Sequence, residues 1–178
     1  MTMKKVLVVV DMQNDFVDGA LGSEDAKAIV GNVVKEIEKD EYDLIYYTAD
    51  THYDDYLETY EGKNLPVKHC IKGTDGWKTQ QDVYDALKAK GALRMSVEKP
   101  GFGSPELIEI LRNEDMESVT LIGLCTDICV MTNAIMLRGH YPNLPIYYVE
   151  DCVAATSKEN QEASFKIFAS CQIYPKKD

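Results

Sequence analysis

The chain has 178 residues, of which 45% are hydrophobic and 28% charged, as expected for an ordinary globular protein with one domain spanning residues 1–178. Its 19 basic and 30 acidic side chains give a formal net charge of −11, which argues against a nucleic acid or an anionic membrane as the partner. No apolar run approaches the roughly 20 residues of a membrane span, and with five cysteines and no recognisable export signal we expect a reduced, cytoplasmic protein.

Short apolar runs alternate with amphipathic segments along the chain, which is typical of alternating strands and helices. In chain order we predict a strand at residues 5–10, a helix at 24–39, a strand at 44–49, a helix at 80–90, a strand at 93–97, a helix at 105–113, a strand at 119–122, a helix from 126 or 127 to 137, a strand at 146–149, a helix at 158–170 and a short strand near 173. Within residues 80–90 we expect Val83, Tyr84 and Leu87 to face inward. Ser104 followed by Pro105 is typical of a helix start. The near-continuous apolar strands predict an α/β fold in which helices cover both faces of a parallel sheet.

Reactive side chains lie at the ends of four predicted strands. Asp11 follows the first strand and Asp50 the second, Lys99 comes just after the third, and the fourth leads into residues 123–129, which end at Cys129. Each residue by itself also has an ordinary explanation. An Asp after a strand is typical of a turn, a Lys in a loop is usually solvated, and a Cys in an apolar run usually packs in the core. Because ligands of such sheets bind beyond the carboxyl ends of the strands, their convergence on one edge predicts an active site.

Cys129 is the best candidate for a nucleophile. If Thr126 or Asp127 caps the following helix, Cys129 lies in the first helical turn, where the helix dipole lowers a thiol pKa and backbone N–H groups can hold an oxyanion. No histidine is near in the sequence, so Asp11 is the candidate base, and Lys99 is the candidate to stabilise the thiolate and orient Asp11. The spacing alone leaves catalysis and core packing about equally favoured.

A second group of residues is typical of a metal site. Asp50 and His52 point to the same side of an extended segment, and His69 and Glu61 can return from the loop that follows. Two imidazoles with carboxylates suit Zn²⁺, Fe²⁺ or Mn²⁺. This spacing alone favours the alternative of two surface histidines.

Four segments carry longer motifs. Residues 9–16 have the sequence VVDMQNDF and residues 123–130 the sequence GLCTDICV. Residues 65–70 have the sequence LPVKHC, with GT shortly after it, and residues 149–154 have the sequence VEDCVA. Together these segments resemble motifs of the isochorismatase-like cysteine hydrolases, and specifically of the nicotinamidase/pyrazinamidase branch.

The resemblance implies a three-layer αβα fold with a six-stranded, mostly parallel sheet. It implies a catalytic triad of Asp11, Lys99 and Cys129. It also implies a cis peptide bond between Leu124 and Cys125, so that the N–H groups of Cys125 and Cys129 face the developing oxyanion.

The resemblance further implies one divalent transition metal, with zinc favoured and iron or manganese as alternatives. The side chains implied as its ligands are those of Asp50, His52, Glu61 and His69. Glu61 matches only some members of the family. Phe16 and Trp77, the only tryptophan, are candidate ring-stacking walls of the substrate pocket, with ordinary core or rim packing as the alternative.

The activity implied is hydrolysis of a small-molecule amide, with nicotinamide, which yields nicotinate and ammonia, as the leading substrate. The nearest alternative is a related cysteine hydrolase acting on another small amide or an N-carbamoyl compound, and such enzymes generally lack the two metal-binding histidines. Isochorismatase itself dispenses with the thiol, so Cys129 argues against it, and an intact triad argues against a non-catalytic binding protein.

Family members are often homo-oligomers, so we expect one here. Departures from the family pattern leave the exact substrate open, at Thr51, Leu65, Lys68 and residues 100–104.

Overall fold

A computed structural model describes residues 2–177 and contains one sheet of six parallel strands. The strands are β1 (Lys4–Val10), β2 (Leu44–Asp50), β3 (Leu93–Lys99), β4 (Met116–Leu124), β5 (Ile146–Ala154) and β6 (Ile173–Pro175). Their order across the sheet is β3-β2-β1-β4-β5-β6. This confirms the predicted α/β fold with a six-stranded parallel sheet.

Helices cover both faces of the sheet. They are α1 (Asn14–Val17), α2 (Glu24–Glu38), α3 (Tyr60–Asn64), α4 (Gln81–Ala89), α5 (Pro105–Leu111), α6 (Met131–His140) and α7 (Lys158–Ser170), with a 3₁₀ turn at Tyr56–Glu58 and a π-helical turn at Thr126–Val130. One core lies between the sheet and α5, α6 and α7, and the other between the sheet and α1, α2 and α4. None of the helices between residues 2 and 177 is long and apolar enough to cross a membrane.

The central strand β1 explains the uninterrupted apolar run near the start of the chain. Val6, Val8 and Val10 pack into the first core, and Leu7 and Val9 into the second. Because successive side chains of a strand point to opposite faces, a strand covered on both sides needs apolar residues at every position. The strand therefore ends where Asp11 interrupts the run.

Most strands extend further toward the carboxyl edge than the sequence predicts. β2 ends at Asp50 and β3 at Lys99, and these two residues are register partners. Sheet hydrogen bonds rather than loops therefore hold the backbone from which each side chain extends.

Two local predictions were wrong. Tyr84 is 37% exposed, because Val83, Ala86 and Leu87 form the buried stripe of α4 and Tyr84 lies beside it. The predicted caps Thr126 and Asp127 instead lie inside the π-helical turn, which begins after Cys125 without a side-chain cap.

Gly123 of β4 provides a test of this packing. Its φ is +113°, and a Cβ atom there would lie 2.0 Å from the carbonyl oxygen of Val10. We expect Gly123→Ala to lower the free energy of unfolding by about 3 kcal/mol, measured by urea denaturation. Gly31→Ala is the control: Gly31 lies in α2 with open space around it, so this change should raise stability by about 0.5–1 kcal/mol. Equal effects of the two substitutions would contradict the argument.

Candidate active site and metal centre

The ammonium group of Lys99 lies at the centre of the carboxyl edge of the sheet and is almost fully buried. Its Nζ is 2.6 Å from Asp11 Oδ2 and 3.4 Å from Cys129 Sγ. It also lies 3.4 Å from Asp50 Oδ1 and donates a 2.9 Å hydrogen bond to the carbonyl oxygen of Gly101. Lys99 therefore contacts both other residues of the predicted triad.

Asp11 is oriented by the neighbouring strand β2. The hydroxyl of Thr48 donates a 2.6 Å hydrogen bond to Asp11 Oδ1 and accepts a 3.2 Å bond from the Asp11 backbone N–H. The φ of Asp11 is +46°, a conformation that such side-chain contacts help to hold. Thr48 was not predicted from the sequence, where its only signal is a polar residue within the mostly apolar strand β2.

Burial and neighbouring charges act differently on the three groups. Burial raises the pKa of Asp11 above its ordinary value, and the charge of Lys99 opposes that rise. Burial alone would lower the pKa of Lys99, but Asp11, Cys129 and Asp50 together raise it well above its ordinary value. Lys99 is therefore a fixed positive charge at neutral pH.

The thiol of Cys129 differs from the prediction. Burial raises its pKa well above the ordinary value, the carboxylate of Asp11 adds to the rise, and Lys99 offsets only part of it. The expectation that a helix start lowers this pKa was wrong, because desolvation of the thiolate outweighs the dipole of the turn. At rest the group is a protonated thiol beside a carboxylate, so its proton must be transferred when it attacks.

The chain reaches Cys129 through the turn that follows β4. The peptide bond between Leu124 and Cys125 is cis, as the resemblance implied. The carbonyl oxygen of Cys125 accepts hydrogen bonds from Ile128 and Val130 N–H, each at 3.1 Å. These bonds close the π-helical turn that carries the thiol and that leads into α6.

Four potential metal ligands converge next to this group. Their ligand atoms all lie within 4.8 Å of one another, in Asp50, His52, Glu61 and His69. Asp50 Oδ2 is 2.9 Å from His52 Nε2 and 3.4 Å from His69 Nε2. Glu61 Oε1 is 3.6 and 3.5 Å from the same two nitrogens. Among residues 2–177 this is the one such group found, and it contains all four predicted ligands.

The chemistry and orientation of these donors fit a divalent transition metal. Two imidazole nitrogens with two carboxylate oxygens suit zinc. His69 Nδ1 is 2.8 Å from the carbonyl oxygen of Val67, which orients the ring so that Nε2 faces the cluster. Burial alone would lower the pKa of His69, but Asp50 and Glu61 raise it to about 10. The two carboxylates therefore favour a cation at this position.

Aromatic rings surround the cluster. The ring of Tyr56 is centred 4.7 Å from that of His52 and 5.0 Å from that of His69. The ring of Phe16 is centred 5.5 Å from that of His69, which brings Phe16 beside the cluster. Tyr56 was not predicted from the sequence, because a single buried tyrosine in a short 3₁₀ turn has no periodic signal.

Trp77 has a different environment from Phe16. It is half-buried, and its indole N–H donates a 2.9 Å hydrogen bond to the hydroxyl of Thr51, the residue between Asp50 and His52. It also lines a cavity of about 340 Å³ together with Tyr47 and Tyr84 among others. Within residues 2–177 no ring–ring contact of Trp77 is found, so its contact with the cluster is indirect.

Known proteins similar to this chain share its fold over most of its length. A model of the isochorismatase domain matches residues 5–175. The nicotinamidase of Schizosaccharomyces pombe is 26% identical over 207 aligned residues, covering 97% of this chain and 93% of that protein. A crystal structure of the nicotinamidase/pyrazinamidase of Bacillus subtilis has a TM-score of 0.85 at 26% identity, covering 98% of this chain and 100% of that one. The N-carbamoylsarcosine amidase of Thermoplasma acidophilum is 30% identical, with a TM-score of 0.77, covering 98% of this chain and 96% of that one.

Metal binding is expected to release protons. His69 has a pKa of about 10 and is protonated at neutral pH, whereas a metal-ligating imidazole must be neutral. Titration of the metal-free protein with Zn²⁺ should therefore release about one proton, measured by calorimetry in two buffers of different ionisation enthalpy. His69→Ala should abolish tight binding, and His140→Ala, which removes the exposed third histidine, should leave it unchanged. Tight Zn²⁺ binding without proton release would contradict the prediction that His69 loses its proton to become a ligand.

Proposed function

The chain belongs to the isochorismatase family, as a nicotinamidase-like amidohydrolase, and from this membership we propose that it is a metal-dependent cysteine hydrolase that converts nicotinamide to nicotinate and ammonia. The observation that carries the proposal is the contact between the triad and the metal cluster. Asp50 places one carboxylate oxygen 3.4 Å from Lys99 Nζ and the other 2.9 Å from His52 Nε2. An amide held at the cluster would lie beside the thiol.

Acylation begins with the thiol proton. Asp11 accepts this proton while Cys129 Sγ attacks the carboxamide carbon and forms a C–S bond. The carbonyl oxygen becomes an oxyanion that accepts hydrogen bonds from the backbone N–H groups of Cys125 and Cys129. The charged Lys99, 3.4 Å from Sγ, stabilises the negative charge that develops on sulfur.

In the remaining steps Asp11 first gives up this proton and then accepts another from water. Asp11 returns the proton to the amide nitrogen, the C–N bond breaks and ammonia leaves, so that a thioester on Cys129 remains. Asp11 then takes a proton from water, whose oxygen attacks the thioester carbon. The C–S bond breaks, the carboxylic acid is released and the thiol regains its proton.

The metal centre is assigned to substrate positioning. When bound by Asp50, His52, Glu61 and His69, a zinc ion would supply a Lewis-acidic position for the ring nitrogen of the substrate, directly or through water. Phe16, which contacts His69, is proposed as a wall for the ring. A ring fixed at both points leaves only the carboxamide to meet the thiol.

A second candidate substrate is an N-carbamoyl compound. The 30% identity to an N-carbamoylsarcosine amidase is the observation that favours it. The converged ligand atoms of His52 and His69 favour a metal-dependent enzyme instead, because the carbamoyl branch is expected to lack this histidine pair. Nicotinamide therefore remains the leading substrate.

Ammonia release from nicotinamide by the purified protein tests the proposal. Removal of the nucleophile in Cys129→Ala should lower kcat/KM by at least about 1,000-fold, and treatment with chelator should raise KM strongly until Zn²⁺ is restored. The control Cys171→Ala changes a cysteine at the far end of α7 and should retain activity. Release from N-carbamoylsarcosine but not from nicotinamide would instead establish the second candidate, and release by Cys129→Ala at the wild-type rate would overturn the mechanism.

The pH dependence follows from the state of Asp11. Asp11 must be deprotonated to accept the thiol proton, and burial raises its pKa, so kcat/KM should fall as the pH falls through a value above about 3.9. Thr48 donates to this carboxylate and lowers its pKa, so Thr48→Val should move the acidic limb to higher pH. The profiles are to be measured with saturating Zn²⁺ to exclude loss of metal. If the acidic limb of the kcat/KM profile lies at the same pH in Thr48→Val as in the wild type, the proposed role of Asp11 is contradicted.

A further inference from the structure

Two polar side chains of the segment between Asp11 and Phe16 take no part in the chemistry described above. Gln13 is fully buried, and Asp15 is half-buried in the short helix α1. Both reach out of their own segment and bond to the backbone of other segments, next to proposed metal ligands. A buried amide side chain must satisfy its hydrogen bonds, so its partners show what it holds in place.

Gln13 grips the backbone of Asp50 at two points. Its Nε2 donates a 2.8 Å hydrogen bond to the carbonyl oxygen of Asp50, and its Oε1 accepts a 2.8 Å bond from the Asp50 backbone N–H. A second N–H of the same amide donates to the carbonyl oxygen of Trp77 at 2.8 Å. Asp50 is thus fixed on both sides of its Cα atom by one side chain.

Asp15 holds the segment that carries His69. Its Oδ2 accepts a 2.8 Å hydrogen bond from the backbone N–H of Cys70, whose φ is +47°. The carbonyl oxygen of Cys70 in turn accepts a 3.0 Å bond from the backbone N–H of His52. A Cβ atom at Gly76 would lie 2.1 Å from Asp15 Oδ2, so only a glycine there lets the carboxylate reach its position. The carboxylate of Asp15 therefore stabilises the uncommon backbone conformation of Cys70, which follows His69 and is hydrogen-bonded to His52.

We propose that Gln13 and Asp15 are positioning residues of the metal centre, which hold the backbones of Asp50 and of residues 69–70 so that the ligand atoms converge before the metal binds. The inference rests on the proposed metal site but not on the substrate. Preorganised ligands do not lose conformational freedom on binding, so metal affinity is higher than for mobile ones. Loss of such an outer partner lowers metal affinity by about 10–100-fold.

Neighbouring residues offer matched variants. Asp15→Ala removes the acceptor for the Cys70 N–H, whereas Asp15→Asn keeps an oxygen that can accept it. Gln13→Met keeps the length of the side chain and removes all three of its bonds. Asn14→Ala is the control, because Asn14 also bonds a backbone carbonyl, that of Asp75, which is neither a proposed ligand nor next to one in the sequence.

The measurement is Zn²⁺ affinity of the full chain, by competition with a chromophoric chelator, together with the visible spectrum of the Co²⁺ form. We expect Asp15→Ala and Gln13→Met to weaken Zn²⁺ binding by at least about 10-fold and to alter the Co²⁺ bands. Asp15→Asn should restore most of the affinity, and Asn14→Ala should match the wild type. Circular dichroism of each metal-free variant checks that the fold is retained.

The outcomes separate this inference from the proposed function. Wild-type affinity and an unchanged Co²⁺ spectrum in folded Asp15→Ala and Gln13→Met would overturn the positioning role and leave the metal site intact. Failure of the wild type to bind Zn²⁺ would overturn both. If Gln13→Met does not fold, the comparison of Asp15→Ala with Asp15→Asn decides the matter, since a general loss of stability would not be rescued by one restored acceptor.

Discussion

The charged site depends on the burial of one ammonium group. Lys99 is only 1% exposed, and a charge removed from water in this way is strongly unfavourable unless it is paired and hydrogen-bonded. Its partners come from different elements: Asp11 follows β1, Asp50 ends β2 and Cys129 lies in the turn after β4. In the sheet order the strands β3, β2, β1 and β4 are adjacent, so the topology alone brings these four ends together. The sheet therefore brings together the partners that offset the free-energy cost of burying this ammonium group.

Asp50 connects the two halves of the site. One carboxylate oxygen faces Lys99 and the other faces the two histidines. Asp11, Asp50 and Glu61 bring three carboxylates to this group, opposite the ammonium of Lys99 and the imidazolium of metal-free His69. A divalent cation that displaces the proton of His69 would bring the group to neutrality. Burial alone would raise the pKa of Asp50, yet His52, His69 and Lys99 lower it well below its ordinary value, which keeps the carboxylate ionised for both partners. The same residue thus links the proposed catalytic group to the proposed metal site.

Hydrogen bonds to the backbone keep the loops around this edge in place. The buried side chain of Asn133 donates to the carbonyl oxygen of Cys129 at 2.8 Å and to that of Phe102 at 3.2 Å, and it accepts from the Ser104 N–H at 2.9 Å. It thereby joins the π-helical turn that carries Cys129 to the loop that follows Lys99. Gln13 and Asp15 make similar bonds near the proposed metal site, to the backbones of Asp50 and Cys70. A site whose atoms must meet within a few tenths of an ångström depends on such supporting contacts.

The sequence by itself determined the alternation of strands and helices and the reactive residues at the strand ends. Apolar periodicity is a local property, so β1 and α7 were predicted within one residue of their observed bounds. Asp11 followed from the end of β1, and Cys129 from the segment after β4. The position of Glu61 and His69 in the loop after His52 made them candidate ligands, and the resemblance to the family supported that prediction. Only the tertiary structure decided which groups touch and how they titrate. Desolvation raises the pKa of Cys129 where the local helix argument predicted a fall, and the bonds of Gln13 to Asp50 join residues 37 positions apart. Burial and long-range contacts arise from the packing of the whole chain, and a local pattern carries no record of them.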